Sequence, residues 1–165
     1  MFPAPFSYYR PTSVAEAVQL VASDPEAKIL AGGHSLIPAM KLRLAMPGSL
    51  VDLSRIAELR SITVESDRVV IGAMATYNDL QYDDSLRQVL PVIAEMIRHV
   101  GDAQVRSRGT MGGALAHNDP AADSPAAVLA LNAHMTAEGP SGERDIAADD
   151  FFVDLFTTAL QPDEV

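Results

Sequence analysis

Apolar residues recur at helical spacing soon after the N-terminus. The recurring positions are Val14, Ala17, Val18 and Val21. Ser13 directly before them and Glu16 in the first turn are typical of a capping box, so a helix is predicted here. Asp24–Pro25 ends that helix, and residues 27–31 form a short β-compatible run.

A second helix and a second strand follow. Residues 36–44 carry apolar positions at helical spacing, with Pro38 restricted to the first turn. Pro47–Gly48 ends this helix, and residues 50–53 are again β-compatible. A strand, loop, helix and strand in so few residues predict parallel strands in a small α/β lobe that closes near residues 55–59.

The rest of the chain combines predicted hairpins with helices. Residues 61–64 and 69–73 form one predicted hairpin, and residues 133–138 and 143–146 form another. Residues 149–160 are short, apolar and helix-like.

A long helical pattern in the middle of the chain contains a proline. Its apolar face comprises Leu86, Val89, Leu90, Ile93, Ile97 and Val100. Pro91 predicts a helix start or a kink inside this pattern, and Gly101 suits the C-terminal cap. Further on, Ser124 is the predicted N-cap of a helix whose first position is Pro125.

Two glycine-rich segments, Ala31–Ser35 and Thr110–Ala114, each follow an apolar stretch and precede a helix-compatible one. Consecutive glycines beside a helix start can present several backbone N–H groups to a phosphate. The pair suggests one elongated, phosphate-bearing ligand that is held from two sides. A tight strand-to-helix turn accounts for the first segment equally well.

Composition narrows the classes of function. The 165 residues include 12 Lys and Arg against 22 Asp and Glu, a formal charge of −10, so no nucleic-acid partner is expected. The chain has no cysteine, which excludes cysteine-ligated clusters within it. No apolar run approaches the roughly 20 residues of a membrane span. Because the N-terminus lacks a signal-peptide pattern, a cytoplasmic location is expected.

Other polar residues offer weaker candidates. Asp123 can accept a hydrogen bond from a ligand hydroxyl or favour the start of the next helix. His117 and Asp119 lack a third ligand at helical spacing, so no metal site is predicted. A local group of cations, which suits a phosphate, an acidic partner or a solvated face, comprises Arg98, Arg106 and Arg108. The fingerprints of P-loop, Rossmann, zinc-protease and nucleophile-elbow proteins are missing.

The two segments and their surroundings resemble the FAD-binding medium subunits of molybdenum hydroxylases. This family includes the medium chain of aerobic carbon monoxide dehydrogenase and the FAD subunit of xanthine dehydrogenase. The resemblance covers essentially the whole chain. The runs that carry it are Ala31–Pro38, Met40–Leu44, Val51–Leu53, Thr110–Ala114 and Asp119–Asp123.

By this resemblance, the fold is an α/β (α+β) FAD-binding domain of the vanillyl-alcohol-oxidase-like type. A small parallel α/β lobe would cover about residues 1–58, and a larger lobe with a mixed or antiparallel sheet about residues 59–165, with FAD between them. Family members continue into a C-terminal domain, which we expect this 165-residue sequence to lack.

The resemblance also implies the cofactor-binding residues. Both glycine-rich segments would wrap the pyrophosphate and its neighbouring groups, Asp123 would bond a cofactor hydroxyl, and Val100 would pack against the cofactor. No catalytic side chain or metal ligand is implied. The full set is Ile29, Leu30, Ala31, Gly32, Gly33, His34, Ser35, Leu36, Val100, Thr110, Met111, Gly112, Gly113, Ala114 and Asp123.

The implied function is electron transfer within a complex. A large subunit with the molybdenum cofactor would oxidise the substrate, and a small iron–sulfur subunit would relay electrons to FAD on this chain, which passes them to a quinone or NAD. The chain would be inactive without these partners. Two alternatives stay open: a scaffold module of such a complex, and a stand-alone FAD oxidoreductase of the same fold.

Overall fold

A three-stranded parallel sheet forms the first part of the molecule in the computed structural model, which describes residues 1–165. Its strands are β1 (Ser7–Tyr9), β2 (Ala27–Leu30) and β3 (Ser49–Asp52), in the order β1-β3-β2. The predicted parallel pairing of the second and third strands is confirmed, with Ile29 opposite Val51. The central strand is buried at every position, as expected for a parallel strand that is covered on both faces.

Two helices connect these strands, α1 (Val14–Ser23) and α2 (Leu36–Lys41). The predicted N-cap is confirmed, since Ser13 Oγ accepts a hydrogen bond from Glu16 N–H at 3.2 Å. The Glu16 carboxylate accepts from Thr12 N–H at 2.8 Å, one residue before the position that a capping box requires. The second helix ends earlier than predicted, and Arg43 just beyond it has a φ of 60°.

Most helices lie in the second part of the chain. They are α3 (Tyr77–Tyr82), α4 (Asp84–Val89), α5 (Pro91–His99), α6 (Ala103–Arg108), α7 (Met111–His117) and α8 (Ser124–Ala130). Pro91 begins α5, which confirms the predicted interruption. The N-cap of α8 is Asp123 rather than Ser124, because Ser124 is buried and shares a hydrogen bond with the Tyr77 hydroxyl at 3.0 Å.

Three separate antiparallel hairpins complete the fold. The two predicted hairpins are confirmed as β4 (Ile62–Val64) with β5 (Val69–Ile71), and β6 (His134–Gly139) with β7 (Gly142–Ala147). The small parallel sheet and the antiparallel pairs confirm the predicted α/β (α+β) class with a mixed or antiparallel second part, which is divided into separate two-stranded sheets.

The prediction of a helix over residues 149–160 is wrong. The four-residue helix α9 (Ala148–Phe151) is followed by the third hairpin, β8 (Phe152–Asp154) with β9 (Thr157–Thr158). Asn118 holds the turn of this hairpin, because its side-chain amide donates to the carbonyl oxygens of Asp154 at 2.8 Å and Thr157 at 3.0 Å.

The buried apolar residues form two clusters. The smaller cluster comprises Ala17, Val21, Ala27, Val51, Leu53, Ile56 and Met74. The larger cluster comprises Ala75, Tyr77, Leu80, Leu86, Ile93, Ile97, Met111, Leu115, Val128, Ala137, Ile146 and Phe151. The lobe boundary near residue 58 stays a prediction. Among the fully buried residues, Met74 belongs to the smaller cluster and Ala75 to the larger one, while Ile62, Val69 and Ile71 before them already pack on the larger cluster.

Asp52 at the end of β3 links this strand to β1. Its carboxylate accepts hydrogen bonds from the Tyr8 hydroxyl and from Ser54 N–H at 2.8 Å, and Arg10 Nε lies 3.6 Å away. Burial alone would raise the pKa of Asp52, but these hydrogen bonds and the Arg10 charge together lower it. The hydrogen bond to Asp52 also raises the pKa of Tyr8.

We expect Tyr8→Phe to lower the free energy of unfolding near neutral pH and to lower it by a smaller amount at acid pH. A carboxylate with a lowered pKa contributes stability that is present above its ordinary value of 3.8 and is lost as pH falls through the folded-state value. Urea unfolding at about pH 7 and about pH 2 measures the difference. The control is Tyr9→Phe, because the neighbouring Tyr9 side chain is similarly exposed but its hydroxyl makes no hydrogen bond to Asp52. An equal loss at both pH values would contradict the prediction.

Candidate functional site

The segment Ala31–Ser35 joins β2 to α2 and presents a run of free backbone donors. The N–H groups of Gly32, Gly33, His34 and Ser35 donate no backbone hydrogen bond within the protein. Gly33 has a φ of 76°, whereas Ser35 is right-handed. A left-handed residue in such a segment turns neighbouring N–H groups toward one point, which is the geometry of an anion-binding nest.

The side chains of this segment add little to the donor set. The His34 ring Nδ1 lies 3.2 Å from the Gly32 carbonyl oxygen, so the ring is engaged locally. Ser35 makes no side-chain capping bond to α2. The donors that this segment offers are therefore mainly its backbone N–H groups.

Four N–H groups of the second segment, those of Met111–Ala114, are bonded within the protein. Met111 N–H donates to Ala75 O and Gly112 N–H to Ala73 O, both at 3.0 Å. Gly113 N–H donates to Thr110 Oγ1 at 3.2 Å, and Ala114 N–H to the Thr110 carbonyl oxygen at 3.1 Å. The first segment therefore has the longer run of N–H groups without a protein acceptor, and a contact of either segment with a phosphate stays a prediction.

The two glycine-rich segments lie against each other. A Cβ on Gly32 would be 2.2 Å from the Arg108 carbonyl oxygen, directly before the second segment. A Cβ on Gly113 would be 2.7 Å from Thr110 Oγ1 and 3.1 Å from the Ala31 Cβ. Glycine is required at both positions because the two segments approach closely, and this contact brings together residues about 80 positions apart in the chain.

Asp123 has an unused carboxylate and is linked to this junction through Tyr77. It occupies the N-cap position of α8 without making a side-chain capping bond. Its charge raises the pKa of Tyr77, although burial of the phenol is the larger cause. The Tyr77 ring would lie 3.0 Å from a Cβ on Gly109, so one buried tyrosine contacts both the approach to the second segment and the start of α8.

Four other predicted site residues are apolar and take different positions. Ile29 and Leu30 belong to β2, and Ile29 packs on the smaller cluster. Leu36 is half-buried at the start of α2. Val100 caps the C-terminus of α5 and packs on the larger cluster, where its carbonyl oxygen accepts from Arg106 at 2.9 Å. A contact between Val100 and a cofactor stays a prediction.

The predicted arginine group separates into three environments. Arg98 pairs with Glu95 at 3.0 Å, and Arg106 donates to backbone carbonyl oxygens. The exposed Arg108 side chain makes no hydrogen bond or ion pair, and its backbone contacts Gly32. The sequence indicated all three arginines, but only the fold shows that the backbone of Arg108 lies at the junction and that its side chain is unpaired.

No three His, Cys, Asp or Glu side chains are grouped as metal ligands. The His117 ring instead packs against Phe156, with ring centroids 5.2 Å apart. None of the helices has the length and apolar character needed to cross a membrane.

These features fit a phosphate-bearing cofactor. Four consecutive free N–H groups are suited to the oxygens of a pyrophosphate, and Arg108, whose backbone contacts Gly32, has a side chain without an ion-pair partner. The unused Asp123 carboxylate can accept a hydrogen bond from a hydroxyl group. The fold and the site together define an α/β domain that binds a phosphate-bearing cofactor.

Comparison with known proteins identifies this cofactor class more closely. The chain matches the FAD binding domain in molybdopterin dehydrogenase over residues 4–165. It belongs to this family, and its cofactor is FAD.

Individual relatives agree with the family match. The chain is 48% identical to the carbon monoxide dehydrogenase medium chain of Hydrogenophaga pseudoflava, over all of this chain and 58% of the relative. The structure of that organism's carbon monoxide dehydrogenase lacking the Mo-pyranopterin moiety matches with a TM-score of 0.98 at 49% identity, again over 100% and 58%. Quinoline 2-oxidoreductase from Pseudomonas putida 86 matches with the same TM-score and coverage at 38% identity. The chain thus spans about three fifths of the length of these relatives.

Proposed function

We propose that this domain is the flavin-carrying, electron-transfer part of a molybdenum-hydroxylase-type oxidoreductase. The observation that carries the proposal is the run of free N–H groups from Gly32 to Ser35, held against Arg108 at the junction of the two glycine-rich segments. FAD would supply the redox chemistry, while the protein binds and orients it.

The residues of this chain would then have distinct binding roles. The Gly32–Ser35 backbone would hold the pyrophosphate, and Arg108 would offset part of its charge. Asp123 would accept a hydrogen bond from a cofactor hydroxyl. The segment Thr110–Ala114, in which the N–H groups of Met111–Ala114 are bonded internally, would shape the wall of the site by packing.

Partner chains would supply the other redox centres. A chain without cysteine cannot hold cysteine-ligated iron–sulfur clusters, so the clusters would lie in a small subunit and the molybdenum cofactor in a large one. Electrons would leave the flavin for a quinone or NAD. The two named relatives act on carbon monoxide and on quinoline with the same kind of domain, so the substrate is decided outside this chain.

Titration of the purified protein with FAD tests the binding step. We expect the visible flavin absorption to co-elute with the protein and ADP to compete, since ADP carries the same pyrophosphate. Failure to bind FAD at saturating concentration would contradict the proposal and favour a scaffold role. Reduction of the bound flavin by a partner complex then tests electron transfer, whereas substrate turnover by the domain alone would favour a stand-alone oxidoreductase.

Asp123→Asn should weaken FAD binding without abolishing it. Because Asn Oδ1 can still accept a hydrogen bond, the substitution removes only the difference between a charged and a neutral acceptor, about 1 to 1.5 kcal/mol, which is about five- to tenfold in the dissociation constant. Flavin fluorescence titration measures the change. Asp67→Asn makes the same charge change in the exposed turn between β4 and β5 and serves as the control. Equal dissociation constants for Asp123→Asn and the wild type would remove Asp123 from the site.

A further inference from the structure

Four apolar side chains are exposed together next to the C-terminus of α2. They are Phe2 at 85%, Leu42 at 57%, Leu44 at 80% and Met46 at 64% exposure, and we refer to them as the apolar patch. The N-terminal segment belongs to this surface because Arg43 Nε donates to the Phe2 carbonyl oxygen at 3.0 Å. A concentration of large apolar side chains of this kind marks an interaction site more often than scattered single residues do.

The backbone holds these side chains outward. α2 buries only Met40, and the chain then turns back so that Leu44 N–H donates to the Ala39 carbonyl oxygen at 2.9 Å. Arg43 within this turn has a φ of 60°, which is costly for a residue with a side chain. The fold therefore maintains a strained turn while leaving Leu42 and Leu44 in solvent.

The sequence segment that carries Leu42, Leu44 and Met46 is more basic than the rest of the chain, although the Glu26 carboxylate lies beside Gly48 at its far end. Residues 27–51 contain Lys28, Lys41 and Arg43 but no Asp or Glu, in a chain whose net charge is −10. Lys41 and Arg43 flank Leu42 directly. A complementary surface would be apolar at its centre and would carry carboxylates at its rim. Pairing the apolar patch with the same patch of a second copy would instead oppose like charges.

We propose that the apolar patch docks on an apolar, carboxylate-rimmed surface of another subunit of the oxidoreductase complex. This rests on the proposed function, in which the domain works next to chains that hold the other redox centres. The exposed leucines form the centre of the interface, and Lys41 contributes at its rim.

A binding experiment with a defined probe tests this assignment. The probe is the Hydrogenophaga pseudoflava carbon monoxide dehydrogenase from which its own medium chain has been removed, because that medium chain is 48% identical to this one. We expect Leu44→Asp to raise the dissociation constant for the probe by at least about tenfold, as for residues at the centre of an interface. Lys41→Glu should weaken binding less, and salt should weaken wild-type binding.

Val153→Asp is the matched control, because Val153 is 63% exposed on β8, a different element. It should leave probe binding unchanged. The proposal would be overturned if Leu44→Asp kept the wild-type affinity, if only Val153→Asp lost affinity, or if the wild type failed to bind the probe. So would a homodimer, or binding to phosphatidylserine vesicles, that Leu44→Asp abolishes. A chain that docks but does not bind FAD would contradict the proposed function but would still support the docking surface.

Discussion

Gly33→Ala is expected to weaken FAD binding on the order of a hundredfold while both hydrophobic clusters stay folded. At a φ of 76°, a side chain costs about 1–2 kcal/mol, and the new methyl group would lie 3.1 Å from Ile37 Cγ1 and 3.3 Å from Leu30 Cδ1. The segment would relax to a negative φ, which separates the N–H groups. Loss of two charge-assisted hydrogen bonds at about 1.5 kcal/mol each gives the expected factor, measured by flavin fluorescence titration.

Gly142→Ala provides a matched control for the backbone cost. Gly142 has a φ of 102° in the β6–β7 turn, and a methyl group there would meet no atom within 4 Å. Both variants should lower the urea midpoint by a similar amount, but only Gly33→Ala should lose affinity for FAD. Unchanged FAD affinity in Gly33→Ala would show that the conformation of Gly33 is not needed for cofactor binding.

Gly32→Val is expected to destabilise the folded domain as well as the cofactor site. Its Cβ would lie 2.2 Å from the Arg108 carbonyl oxygen and 3.0 Å from the Gly109 Cα, and these backbone atoms cannot move aside cheaply. Overpacking of this kind typically costs about 1–3 kcal/mol. Urea unfolding measures the loss of stability, which should be present with and without FAD.

Gly48→Ala is the control for adding a side chain to a glycine of the same lobe. A Cβ on Gly48 would meet the Glu26 carboxylate oxygen at 3.2 Å, and that flexible side chain can move away. This variant should unfold near the wild-type urea midpoint. Wild-type stability of Gly32→Val would mean that the two glycine-rich segments separate without cost.

The sequence predicted correctly those elements that are specified by residues close together in the chain. Ser13 as a cap, Pro91 as a helix start and the β6–β7 hairpin each depend on residues within a few positions, and each is confirmed. β1 was missed because three exposed residues show no alternation and pair with β3, some 40 positions away. α6 was missed because it buries no side chain and so has no apolar periodicity.

The elements that were predicted wrongly from the sequence depend on contacts between residues that are far apart in the chain. Residues 149–160 have the composition of an amphipathic helix, but Asn118 fixes a hairpin turn there, with Phe156 at a φ of 54°. The sequence identified both glycine-rich segments without showing that Gly32 packs against Arg108. For the same reason, it could not separate the free N–H groups of the first segment from the bonded ones of the second.

The crossing of the chain between the two hydrophobic clusters has a thermodynamic consequence. Met74 and Ala75 are consecutive residues in different clusters, and the second glycine-rich segment is bonded to both sides of this crossing through Ala73 and Ala75. A cofactor that binds only when the segments are in place adds its binding free energy to the cohesion of both clusters. We expect calorimetry to record one sharp melting transition with FAD bound and a broader one without it, so the cofactor would set the cooperativity of the domain as well as its redox chemistry.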